Sequence, residues 1–371
     1  MITPRFSYHL DLWRFVAAFI VLLSHYAYPR FTEGYSSFIR EYNMGSDAVV
    51  VFFVLSGFVI SFAALEKDKT ASRFAFNRLT RLYSVAIPTL LLALFLDNWG
   101  SQIDPSFYQP PYYQAQSLGD YWLKGLTFST EWTGEGMRLG SNGPFWSLSY
   151  EAAYYFIFAI MCFMRGATRL IALALTIFIV GLKVMLLLPA WAMGVGIYFL
   201  LRRLKTHALS PALLWTMMIT PLLVYGLCQM IDVPQVLYSF CQIFFTAETL
   251  SSLRLSNEFL WNAVIGLMFS VHLLGAALWM QQRREAPRSY RMVKWLAGAS
   301  FSLYLVHYPV LSFFEVALPS TGLLLLDHAL LLVVTVISCF LFAEAFERPL
   351  YKYRKWAQAG LAKCRRKALN A

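Results

Sequence analysis

The sequence predicts an all-α, polytopic membrane protein of about ten transmembrane helices with N and C termini in the cytoplasm. Three observations carry this. Hydrophobic residues make up 58% of the 371 residues and charged residues 14%, against about 45–50% and about 25% in soluble domains. Mean hydropathy is +0.55, more apolar surface than a soluble core of this length can bury. Apolar runs of spanning length recur along the chain, and basic residues collect in alternate loops between them. This composition excludes a disordered chain, a collagen, a coiled coil and a disulfide-stapled secreted domain.

A membrane-spanning helix needs about 20 mainly apolar residues. Ten runs are candidates: 10–28, 47–65, 83–98, 144–164, 170–182, 185–201, 209–228, 258–280, 295–317 and 322–346. The fifth and sixth are short and share a boundary near Lys183. The first lacks a basic leader and a small-residue cleavage site, so it reads as a retained span. Segment 99–143 holds Gly, Pro, aromatics and acids and reads as a large extramembrane loop. Loops 1–9, 66–82, 165–169, 202–208, 281–294 and 347–371 hold 24 of the 31 Lys and Arg, the opposite loops hold 6, and Arg14 lies in the first span. That bias places the richer set in the cytoplasm and explains the net charge of +11 without nucleic acid. The chain divides into an integral-membrane domain, 1–346, and a basic tail, 347–371. Residues 351–371 read as a surface helix lying on anionic lipid. The five Cys are scattered, with no spacing that suggests zinc or a disulfide framework. No internal repeat is visible.

Ionisable groups inside spans are costly and face a bundle interior or a watery cavity. The first span, LDLWRFVAAFIVLLSHYAY, carries Asp11, Arg14 and His25. Asp11 and Arg14 are three apart and can pair. Arg14 and His25 are eleven apart, close to three helical turns or about 16 Å, so they share a face. Arg14 then sits near the cytoplasmic surface and His25 in the outer half. The other readings are a snorkelling arginine and an interfacial histidine. In GSDAVVVFFVLSGFVIS, Phe52, Phe53 and the Ser56–Gly57 pair point to close helix packing, and Asp47 reads as a helix N-cap.

Arg78 and Arg81 are three apart ahead of Pro88. On one helical face they form a phosphate clamp, although spacing alone favours plain positive-inside topology. Gly143-Pro144 opens the fourth span, and Glu151 lies about two turns into it, where it needs a partner or a cavity. The ninth span, FSLYLVHYPV, places Ser302, Tyr304 and His307 around mid-membrane. Glu344 and Glu347 fall at the cytoplasmic edge of the tenth. His272 and His328 read as lone structural histidines.

Taken in order, LDLWRFVAAFIVLLSHY, VVVFFVLSGFVIS, NRLTRLYSVAIP, FWSLSYE, FSLYLVHYP and FERP resemble the integral-membrane acyltransferase-3 family over nearly the whole chain. The resemblance implies a multi-pass O-acyltransferase of a bacterial cytoplasmic (inner) membrane. Its co-substrate is acyl-CoA, usually acetyl-CoA, with no permanently bound cofactor and no metal. Its acceptor is a carbohydrate hydroxyl at the outer face, of a glycan that can be lipid-linked. Membrane lipid is the other partner, and oligomeric state is not readable. The family's arginine followed after ten residues by a histidine falls on Arg14 and His25. Its cytoplasmic arginine pair, assigned to donor phosphates, falls on Arg78 and Arg81. Its glutamate in the Trp-Ser-Leu-Ser segment falls on Glu151, with Trp146, Ser147 and Ser149 as supporting positions. The chain departs from the family at Val50 and Val51, where an acid often precedes the double Phe. It departs again at Ala152-Ala153-Tyr154-Tyr155, where Glu-Gln-Phe-Tyr is common.

On this reading CoA phosphates rest on Arg14, Arg78 and Arg81, and the thioester reaches toward His25. His25 acts as general base or as a transient acyl carrier. Glu151 orients His25 or binds the acceptor, Ser302 or Tyr304 stabilises the oxyanion, Asp11 pairs with Arg14, and His307 is a second candidate base. The rival class is a transporter or flippase of a lipid-linked saccharide, and a third is a sensor or scaffold without chemistry.

Overall fold

The computed structural model describes residues 2–204, 209–281, 285 and 287–369, and all regular structure among them is helical. Lys205, Arg283 and Arg284, counted above in the basic loops, lie outside the described residues. Helix α1 is Pro4–Tyr26. The Thr3 side chain accepts from the Phe6 N–H at 3.2 Å, and proline at the first position has no N–H to satisfy. Short turns α2 (Pro29–Thr32) and α3 (Phe38–Glu41) lead to α4, Met44–Phe62, which runs on through a π-helical turn at Ala63–Lys67. Helix α5 is Ala71–Ile103, capped by Thr70. Then come α6 (Leu118–Thr127), α7 (Trp146–Phe163), α8 (Gly166–Val180), α9 (Leu182–Leu186) and α10 (Leu188–Arg203). The rest are α11 (Pro211–Met230), α12 (Val233–Cys241), α13 (Ala247–Ser252), α14 (Phe259–Gln281), α15 (Tyr290–Ala297), α16 (Ser300–Ala317), α17 (Leu324–Phe342) and α18 (Leu350–Leu369).

Among the described residues six helices are long and apolar enough to cross a membrane: Pro4–Tyr26, Met44–Lys67, Ala71–Ile103, Pro211–Met230, Phe259–Gln281 and Leu324–Gly360. They coincide with the first, second, third, seventh, eighth and tenth expected runs. The ninth run is broken: α15 ends at Ala297 and α16 begins at Ser300. The fourth, fifth and sixth runs fall on α7, α8 and α10, of 18, 15 and 16 residues. At 1.5 Å per residue α8 rises only about 22 Å, short of the roughly 30 Å of bilayer hydrocarbon. It ends at Gly181, whose φ of 85° lies in the left-handed region that glycine tolerates; this is the boundary expected near Lys183. Helix α5 begins well before residue 83. The Thr70 cap starts the helix there, so Arg78 and Arg81 are helical.

The chain folds as two units. The first comprises Met1–Lys67, Phe128–Met137 and Phe145–Ala297. Its central pair is α4 against α10, and glycine sets the approach. A Cβ on Gly57 would overlap the Trp191 carbonyl, and one on Gly194 would overlap the Val54 carbonyl. Small residues at a helix crossing let backbones touch, as the Ser56–Gly57 pair suggested. Phe6, Val54, Leu55, Phe58, Tyr198, Leu214 and Leu273 fill the core beside this crossing.

The second unit comprises Asp68–Thr127, Arg138–Pro144 and Gly298–Ala371. Here α5 is the backbone of the packing. Buried Asp97 accepts from the Ser141 N–H at 2.8 Å and its hydroxyl at 2.6 Å, and Tyr121 donates to the Leu90 carbonyl at 2.8 Å. These bonds tie the loop residues and the amphipathic α6 down onto α5.

Candidate functional site

In the first unit α1 carries Asp11, Arg14 and His25 on one unbroken helix, so the three-turn spacing is realised. Arg14 Nη1 lies 3.5 Å from Asp11 Oδ1, the expected i,i+3 pair. His25 Nδ1 is 2.9 Å from the Val21 carbonyl, and its ring meets Tyr28 at 5.7 Å between centroids. A carbonyl oxygen only accepts, so Nδ1 carries the hydrogen. The neutral ring therefore presents its lone pair at Nε2, the nitrogen a general base uses.

Glu151 accepts from the Ser56 hydroxyl at 3.2 Å and from the Tyr155 hydroxyl. Trp191 Nε1 donates to Ser56 Oγ at 3.3 Å. The carboxylate is thus held by neutral donors from α4 and its own helix. Trp146 packs edge-on against Phe53 and Tyr150. Ser147 is buried on α7. Ser149 bonds Thr130 Oγ1 at 2.7 Å, and its carbonyl accepts from Trp132 Nε1 at 2.9 Å. These contacts fasten the 128–137 segment to α7.

That segment carries a group the sequence did not reveal. Glu131, 1% exposed, meets Lys183 at 3.4 Å and Arg254 at 3.1 Å. Lys183 also donates to the Gly134 carbonyl at 3.0 Å. Burial pushes the Glu131 carboxyl above its ordinary value, and the two cations pull it back only in part.

Two sequence readings need correction. Asp47 does not cap α4: Asn43 stands at the cap, in a left-handed conformation. Asp47 is buried and accepts from Tyr225 at 2.8 Å, Gln229 at 2.8 Å and Trp261 at 3.1 Å. Its short side chain lies inside the first turn, where α11 and α14 supply donors. His272 is not alone either. Its Nδ1 is 2.7 Å from the Met218 carbonyl, and its Nε2 lies 2.9 Å from Trp13 Nε1 and 3.1 Å from His9 Nε2. An acid opening an apolar run, and a second histidine beside the first span, were the available signals.

In the second unit Arg78 and Arg81 share α5. Arg78 Nη2 is 3.3 Å from Asp68 Oδ2, and its Nε is buried with no hydrogen-bond partner among the described residues. The Arg81 guanidinium lies over the Phe301 ring, 5.9 Å from its centroid. A third arginine joins them. Arg354 on α18 donates from Nε to Thr80 Oγ1 at 3.2 Å and from Nη2 to the Asn77 carbonyl at 3.1 Å. Nothing in the sequence marked it out among the eight basic residues of the tail.

On α16 His307 is fully buried and its Nδ1 is 2.8 Å from the Leu303 carbonyl. The same argument as for His25 leaves the lone pair on Nε2. The Tyr304 ring is 6.5 Å from that of His307. Ser302 is on the same helix. It lies in the first turn of α16, because the ninth run breaks before Ser300. Its backbone N–H donates to Glu347 at 2.8 Å, and that of Phe301 at 3.3 Å. Glu347 therefore caps α16, a favourable place for a carboxylate. The two units divide the expected residues: Asp11, Arg14, His25, Trp146, Ser147, Ser149 and Glu151 belong to the first, and Arg78, Arg81, Ser302, Tyr304 and His307 to the second.

Comparison with known proteins agrees with the motifs. The acyltransferase-3 family model, described as an acyltransferase domain, matches residues 7–344. The chain is 31% identical over 149 residues to acyltransferase MdmB of Streptomyces mycarofaciens, covering 39% of this chain and 36% of that protein. It is 28% identical over 148 residues to the O-acetyl transferase of Shigella phage Sf6, covering 40% of this chain and 43% of that protein. The chain thus matches less than half the length of each curated relative. No solved structure matches. With the family model spanning α1 to the end of α17, the chain belongs to the acyltransferase-3 family.

Proposed function

We propose that the protein is a membrane-bound O-acetyltransferase that moves an acetyl group from cytoplasmic acetyl-CoA to a carbohydrate hydroxyl at the outer face of a bacterial inner membrane. Ten spans with both termini in the cytoplasm complete this reading, with α7, α8 and α10 as short spans. The observation that carries it is His25: its Nδ1 is held by the Val21 carbonyl, three turns along one helix from Arg14. Nε2 then takes the proton of the acceptor hydroxyl. The oxygen attacks the thioester carbonyl, the carbon–sulfur bond breaks, and the CoA thiolate leaves and takes up the proton. The donor-binding role goes to Arg14, Arg78 and Arg81, since guanidinium binds phosphate in a bidentate manner. Asp11 positions Arg14. Glu151 is assigned to the acceptor, Tyr304 to the oxyanion and His307 to a second proton-accepting position. Trp146, Ser147 and Ser149 support the helix that carries Glu151. The names of the two relatives support acyl, and specifically acetyl, transfer.

The test is transfer of label from radiolabelled acetyl-CoA in membrane vesicles. Wild type should label a carbohydrate fraction, and His25→Ala, inserted to the same level, should lose at least about a hundredfold in rate. Near-normal labelling by His25→Ala would remove the base assignment. No labelling by inserted wild type would move transport of a lipid-linked saccharide ahead of acetyl transfer.

A further inference from the structure

The start of α5 gathers more positive charge than the surrounding protein balances. Asp68 is the carboxylate there: it meets Arg78 at 3.3 Å and Arg73 at 3.7 Å, and accepts from Asn77 Nδ2 at 2.7 Å. Arg81 has a ring contact with Phe301 and, among the described residues, no ion pair. Arg354 bonds two neutral acceptors, Thr80 Oγ1 and the Asn77 carbonyl. Those residues immediately precede Arg81 and Arg78 in the sequence, and Arg354 lies within electrostatic reach of both arginines. The three guanidinia are partly buried rather than spread over an open surface.

Holding like charges together in a half-buried place is unfavourable, unless an anion with several charges occupies it. The geometry suits such an anion. A guanidinium has five N–H groups, and Arg354 uses Nε and one Nη2 hydrogen to fix itself on α5, leaving three. Arg78 has a buried Nε with no partner among the described residues. The fixed orientation lowers the entropy lost when an anion is gripped.

We propose that Arg354 is a third phosphate-binding residue of the acyl-donor site, closing with Arg78 and Arg81 around the phosphorylated nucleotide end of acyl-CoA. This rests on the donor reading above and deepens it. The first turns of α18 thereby become part of the donor site rather than a membrane-surface tail. The shared chemistry is phosphate recognition, and an anionic lipid headgroup is the other source of phosphate at a cytoplasmic surface.

The experiment uses the full chain in nanodiscs of pure phosphatidylcholine and, separately, with phosphatidylglycerol. Two probes are titrated: acetyl-CoA, and S-acetylpantetheine, which has no phosphate. Arg354→Gln should weaken acetyl-CoA binding about tenfold or more in both lipids and leave S-acetylpantetheine binding unchanged. Arg354→Lys, which keeps the charge but not the fork, should recover part of the affinity. Equal loss for both probes would make Arg354 merely structural and overturn the proposal. Loss confined to phosphatidylglycerol nanodiscs would assign the arginine to lipid and overturn it too. If Arg78→Gln weakens acetyl-CoA binding and Arg354→Gln does not, the donor reading stands and this inference falls. If wild type does not bind acetyl-CoA, both fall.

Discussion

Two clusters of charge, one in each unit, are built from similar residues to opposite ends. Around Glu131 one carboxylate, 1% exposed, is closed in by Lys183 and Arg254. The outer bonds of the cluster are satisfied by backbone: Lys183 donates to Gly134, and Ser256 to the Lys183 carbonyl at 2.6 Å. Around Arg78 the excess of cations is larger. Arg73 and Arg78 already share the carboxylate Asp68, Arg81 has no ion pair among the described residues, and neutral acceptors hold Arg354 in place. A buried carboxylate gripped by both cations, with the outer bonds made by backbone, acts as a clasp. Surplus charge with a buried N–H that has no partner among the described residues is the place the proposed reading gives to the donor's phosphates. The contrast separates structural from functional charge where residue type alone does not.

The largest expected effect comes from opening the clasp. Glu131→Ala leaves Lys183 buried without its carboxylate, and removal of one partner of a buried pair costs about 3–5 kcal/mol. Thermal unfolding should come several degrees lower, while the folded fraction binds acetyl-CoA with wild-type affinity. Unfolding at the wild-type temperature would show that the 128–137 segment is held by Thr130 and Trp132 alone.

The open cluster should respond the other way. Arg81→Gln removes a cation with no carboxylate partner among the described residues, so the melting temperature should hold or rise slightly. Acetyl-CoA affinity should fall about tenfold, the value of one charge-assisted contact of about 1.5 kcal/mol. A variant that melts early and binds normally would make Arg81 a structural residue and dissolve the comparison.

These clusters also mark how far the sequence was legible. The helical class and most long spans followed from composition and run length, because membrane helices report hydropathy directly. The Arg14–His25 spacing and the Arg78–Arg81 pair were legible because each lies within one helix, where sequence distance is spatial distance. The partners of Glu131, Asp47 and Arg354 come from distant parts of the chain: Lys183 and Arg254, Tyr225 and Trp261, and Thr80 and Asn77. No local period encodes such pairings. The break between α15 and α16 was hidden for a related reason: it hardly interrupts the apolar run, yet it sets Ser302 in the first turn of α16.

The smallest effect sharpens the clasp through pH. Burial raises the Glu131 carboxyl above its ordinary 4.5, so in that window the folded chain holds a proton the unfolded chain has lost. Stability from this group is complete below the unfolded value and is lost as pH rises through the folded one. Arg254 opposes the shift, so Arg254→Gln should raise the folded value further and extend the loss to higher pH. Arg254 is 34% exposed and its charge is partly screened, which limits the effect to about 1 kcal/mol or less at neutral pH. On acidification Glu131 becomes neutral and no longer needs the cation, so the melting curves of variant and wild type should converge. A gap that stays constant with pH would mean that Arg254 holds the clasp by packing rather than by charge.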